Sequence, residues 1–81
     1  MDDREILSRV SELVQEEHTL RAELRAGKIG PDQEHQRLRQ VEEALDQCWD
    51  LLRQRRAREE TGKDPDEATP RPTGQVEGYL Q

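Results

Sequence analysis

Phenylalanine and asparagine are absent from this 81-residue chain, tryptophan, tyrosine and cysteine occur once each, and apolar residues make up only 30%. So few large side chains exclude a core of the size an ordinary α/β enzyme needs. A single cysteine, Cys48, excludes an intramolecular disulfide. No apolar run approaches the ~18 residues that a membrane span requires, and the charged start Met1 to Glu5 has no apolar leader-like core. The expectation is a cytoplasmic chain with no membrane association. Small scaffolds that lack disulfides usually make up their shortfall in core by self-association or by a metal.

What the chain has is charge: 40% of its residues, with 19 acids against 13 bases and a net charge of −6. Basic residues are almost all arginine. The remaining apolar residues are spaced as helix seams. Ile6, Val10, Leu13, Leu20 and Leu24 step along a heptad pattern in which Glu17 takes the one missing place. Leu7 and Val14 form a second column one step round the same helix. Asp2, Asp3 and Glu5 suit a helix N-terminus, and Gly27 suits the left-handed residue that ends one. The first helix is therefore placed at about 2–26.

Two glycines and Pro31 punctuate the chain at 27–31, and proline is favoured in a first helical turn. The loop is placed at 27–30 and the second helix at about 31–61, where Leu38, Val41, Leu45, Cys48 and Leu52 again step in heptad fashion, flanked by Ala44, Trp49 and Leu51. So short a loop makes the helices antiparallel neighbours, with residue i roughly opposite residue 57 − i. Glu17 then faces Gln40 as a polar pair that sets register. The predicted fold is all-α: a coiled-coil-like antiparallel hairpin over 1–61. Pro65, Pro70 and Pro72 exclude regular structure afterwards, so 62–81 reads as an extended, mostly disordered acidic tail. Within it Val76, Tyr79 and Leu80 are candidate anchors for docking on a partner protein or on the dimer mate.

Two helices cannot cover the widened apolar face at the open end. A homodimer of hairpins forming a four-helix bundle is the simplest solution, with Ile6, Leu7, Val10, Val14, Trp49 and Leu52 at the dimer interface. The sharpest polar feature is Arg53, Arg55, Arg56 and Arg58 near the end of the second helix. Cations there oppose the negative helix terminus, and the hairpin sets Asp2, Asp3 and Glu5 alongside, so ion pairing is the favoured reading. A phosphate or RNA patch is the alternative, weakened by the absence of a broad basic field.

Chemistry-bearing arrangements do not emerge. The Glu-x-x-His pairing of di-iron bundles fails, because Gln15 lies three before His18 and Asp32 before His35 is accounted for by its place in a first turn. Cys48 reads as a small buried hydrophobe, and Ser8 and Ser11 have no adjacent base. No catalytic, cofactor or metal residues are assigned. The expected function is a non-enzymatic protein-protein interaction or regulatory module. The alternative is an RNA- or nucleoid-associated protein using Arg53 to Arg58.

The stretch Leu45-Asp46-Gln47-Cys48-Trp49-Asp50-Leu51-Leu52-Arg53-Gln54-Arg55-Arg56-Ala57, with Asp64-Pro65-Asp66 and Val76-Glu77-Gly78-Tyr79-Leu80, resembles a family of small uncharacterised actinobacterial proteins, domain of unknown function 2630. The likeness covers nearly the whole chain. It implies a bacterial, cytoplasmic, stand-alone protein and brings no activity, cofactor or site residue with it.

Overall fold

The computed structural model describes residues 1–72 of the chain. Helix α1 spans Asp3–Arg25 and helix α2 spans Pro31–Glu60, followed by one turn of 3-10 helix at Pro65–Glu67. The helical boundaries match the expected ones to within a residue, because the terminating chemistry is explicit in the sequence. Asp2 caps α1 reciprocally: its Oδ1 accepts from the Glu5 backbone N–H at 2.8 Å, and Glu5 Oε1 accepts from the Asp2 N–H at 3.4 Å. The Gly30 N–H donates to Gln33 Oε1 at 3.1 Å at the start of α2, where Pro31 opens the first turn.

Both helices end the same way. Gly27 and Gly62 adopt φ of 73° and 74°, a left-handed conformation that costs glycine nothing. At the first end, Lys28 N–H donates to Glu23 O at 2.9 Å and Gly27 N–H to Leu24 O at 3.0 Å. At the second, Lys63 N–H donates to Arg58 O at 2.7 Å and Gly62 N–H to Glu59 O at 3.2 Å. These paired bonds are Schellman closures, and each one turns the chain sharply out of its helix.

The described molecule measures 51 × 25 × 14 Å. Its least dimension is little more than the ~10–12 Å diameter of one helix, so the seam between α1 and α2 is the interior. Leu13, Leu20 and Val41 form its centre, with Ile29, Leu38, Ala44, Leu45 and Cys48 packed round them. Ile6 and Leu51 are buried at the open end. Arg55 meets both Met1 and Asp3, which brackets the expected register of i against 57 − i.

Three expectations are revised. Ile6 and Val10, expected on an open dimer face, are buried inside the hairpin, because the seam of α1 turns them directly toward α2. Glu17 pairs with Arg21 of its own helix at 3.3 Å rather than with Gln40; a partner one turn away lets its carboxylate stay near water. Finally, the segment expected as an extended, mostly disordered tail is, over its described residues 63–72, fastened to α2 as a strap that includes the 3-10 turn. The anchors Val76, Tyr79 and Leu80 lie outside the described residues.

Candidate functional site

The strap and the N-terminus meet on one side chain. Arg55 continues the seam of α2 one turn past Leu51, and where an apolar residue would be expected it carries a buried guanidinium, 6% exposed. Its Nε donates to Asp3 Oδ1, and its Nη1 lies 2.8 Å from Met1 O, 3.1 Å from Pro65 O and 2.9 Å from Asp66 Oδ1. The hydrogen bond to Asp3, then that to Asp66, pushes the already high pKa of Arg55 further up, so the group is a permanent cation. One planar fork thus ties together the chain start, α2 and the strap, a role suited to guanidinium and not to a point-like ammonium.

Where the strap runs on along α2 it meets Asp50 of that helix, a carboxylate only 2% exposed. Its Oδ2 accepts from Gln54 Nε2 at 2.9 Å and lies 3.2 Å from Arg71 Nε, and its Oδ1 is 3.8 Å from Arg53. Gln54 also donates to Thr69 O at 2.9 Å and Gln47 donates to Arg71 O at 3.0 Å. Arg58 pairs with Glu67 at 3.5 Å. Gln47, Asp50, Gln54 and Arg58 recur at helical spacing, so one polar column of α2 holds the strap as it runs back antiparallel to the helix. Among the described residues no buried side-chain nitrogen or oxygen lacks a hydrogen-bond partner, as a buried carboxylate requires.

Among the described residues nothing covers the opposite flank of the hairpin. Leu7, Val14 and Trp49 are 48%, 40% and 45% exposed. Leu7, Trp49 and Leu52 line a shallow groove of about 490 Å³, bordered by Asp3, Arg53, Arg56 and Glu59. Of the expected interface residues, then, Leu7, Val14 and Trp49 are uncovered, Leu52 is half-buried at the groove floor, and Ile6 and Val10 belong to the core. The four expected patch arginines separate in space. Arg55 and Arg58 hold the N-terminus and strap, whereas Arg53 and Arg56 border the groove.

Cys48 is half-buried against the core cluster. Burial pushes its thiol pKa up, opposed by the nearby charge of Arg9, so the reactive thiolate is disfavoured. Ser8 and Ser11 are exposed on α1. Among the described residues no three His, Cys, Asp or Glu side chains gather in a way that could hold a metal ion, and no helix is long and apolar enough to cross a membrane.

Asp50, Gln47, Gln54 and Arg71 were not singled out by the sequence. A faint signal exists: Gln47, Asp50 and Gln54 form a polar column at i, i+3 and i+7, flanking the apolar seam. Such columns are ordinary on exposed helix faces, and only the return of the strap distinguishes this one.

The chain matches the profile of a family described as proteins of unknown function (DUF2630) over residues 2–81. It is similar to uncharacterised proteins of Mycobacterium bovis and of two strains of Mycobacterium tuberculosis, each 58% identical over 77 residues, covering 95% of this chain and 88% of the relative. No solved structure shows significant similarity.

Proposed function

This chain belongs to that family of proteins of unknown function, so its role has to be read from its own surface, and we propose that it is a cytoplasmic, non-enzymatic interaction module that acts as a homodimer. The observation that carries this reading is the uncovered apolar flank of Leu7, Val14 and Trp49, left open after both the seam and the strap have formed. A half-exposed tryptophan beside two exposed aliphatic residues on a monomer this thin is the composition of an interface centre. The charged border of Asp3, Arg53, Arg56 and Glu59 supplies the polar rim that such interfaces have. A second hairpin laid on this flank completes a four-helix bundle.

Light scattering coupled to size exclusion, over a range of protein concentrations at moderate salt, tests the reading. The expected mass is twice 9.5 kDa. A monomer at every concentration would remove the homodimer. The RNA alternative receives no support from the arginine cluster as a unit, since Arg55 and Arg58 face carboxylates of the same chain.

A further inference from the structure

The strap reaches Pro72 level with the open flank. Its last contacts are Arg71 O with Gln47 at 3.0 Å and Arg71 Nε with Asp50 at 3.2 Å, and these two residues bracket Trp49 along α2. Successive helical residues stand ~100° apart, so the strap's column and Trp49 are less than half a turn apart round the solvent side of the helix. Residues 73–81 follow. Resting on the homodimer proposed above, we infer that this segment crosses α2 and seats Tyr79 and Leu80 in the Trp49 groove of its own chain, as a reversible cover that a second copy must displace.

Chain length fits the path. Half the circumference of a helix ~10–12 Å across is roughly 16–19 Å, and at ~3.3 Å per extended residue Tyr79 stands up to ~23 Å beyond Pro72. Composition fits the destination. Between Leu52 and Val76 the apolar residues other than proline are Ala57 and Ala68; Val76, Tyr79 and Leu80 then fall within five residues. The groove offers them Leu7 and Trp49, both about half exposed, with Leu52 at its floor, so both surfaces leave water when they meet.

Charge fits as well. Arg56 on the groove border is exposed and has no hydrogen-bond or ion-pair partner among the described residues. Asp3 across the groove is committed to Arg55, and Glu59 lies nearly one turn past Arg56 toward the end of α2, so a segment arriving from the level of Gln47 meets the guanidinium first. Glu77, the one charged side chain of 73–81, brings the complementary carboxylate two residues before Tyr79.

A tether this short sets an effective concentration on the order of millimolar, so even a contact of millimolar affinity is closed about half the time. Each protomer then presents its flank about half the time, and dimerisation, which needs both flanks, is weakened about fourfold. The test compares the parent with a chain ended at Pro72 and with full-length Tyr79→Ala/Leu80→Ala. Trp49 is the sole tryptophan, so its selectively excited emission reports on the groove, read over the same dilution series as the mass. The expected result is emission to the red of the parent in both altered chains at the highest dilution, with dimerisation about fourfold tighter. A synthetic 73–81 peptide at millimolar concentration should return the shortened chain's emission toward the blue. Equal emission from the three chains at the highest dilution overturns the cover, whatever their mass there. Weaker dimerisation of the altered chains overturns it too and assigns the segment to the contact between copies. Monomeric mass in all three chains at every concentration removes the homodimer, while the emission still decides the cover.

Discussion

Cys48 illustrates how one side chain's surroundings decide its chemistry. Burial against the seam raises its thiol pKa above the ordinary 9.0, and Arg9 only partly opposes this. Because the folded value lies above the unfolded one, the protonated thiol's contribution to stability is fully present below pH 9.0 and is lost as pH rises from there through the folded value. Urea denaturation of the parent and Cys48→Ala chains between pH 8 and pH 11 should therefore show a difference in stability that narrows with rising pH. A difference that widened would mean that the thiolate is stabilised in the fold. Alkylation of the folded chain near pH 8 should likewise be slower than that of the urea-unfolded chain.

At the scale of elements, the turns out of the helices matter as much as the helices. Gly62 holds φ of 74°, with open space where a Cβ would stand. Gly62→Ala should thus cost about 1 kcal/mol through backbone strain alone, read as a lower midpoint in urea at an unchanged slope. The strap launched by this turn is fastened by Arg71 on Asp50. Arg71 is partly exposed, so Arg71→Ala should weaken the local closure by only about 0.5–1 kcal/mol. Limited trypsin digestion should then cleave after Lys63 about two- to fivefold faster; an unchanged rate would show that the backbone contacts through Gln47 and Gln54 hold the strap unaided. The helices, their caps and the loop were legible in the sequence because each signal is local: Asp2 and Glu5 at a helix start, Pro31 in a first turn, Gly27 just past a helix end. The strap's docking was not, because it depends on contacts such as Arg71 with Asp50 and Asp66 with Arg55, between segments whose composition alone reads as solvated chain.

For the whole molecule, the central question is what the thin hairpin does with its uncovered flank. Trp49→Ala should weaken dimerisation by about 2–4 kcal/mol if the indole is a buried anchor in the assembly, measured as the concentration dependence of mass. An equal constant for parent and variant would take Trp49 out of that role. The sequence pattern located this flank only in part. The expected interface includes both Ile6 and Leu7, yet a rotation of ~100° between successive residues sends Ile6 into the seam and leaves Leu7 outside. Counting apolar positions finds the stripe; the partner helix decides which edge of it remains.

The position of the Arg55 clasp also bears on how the chain acquires its structure. Pairs near the 27–30 loop are close in sequence, whereas Arg55 reaches back to Asp3 and Met1 across 52 and 54 residues. Closing the shorter loops first loses less entropy, so the hairpin should zip from its loop outward and set the clasp last. Native interactions absent from the transition state act on unfolding rather than folding. Arg55→Met should accordingly accelerate unfolding while leaving the refolding rate nearly unchanged in stopped-flow chevrons, and a slowed refolding limb would instead place the clasp in the nucleus. The same arginine that joins the two ends of the structure would then govern how long a folded molecule lasts, not how quickly it forms.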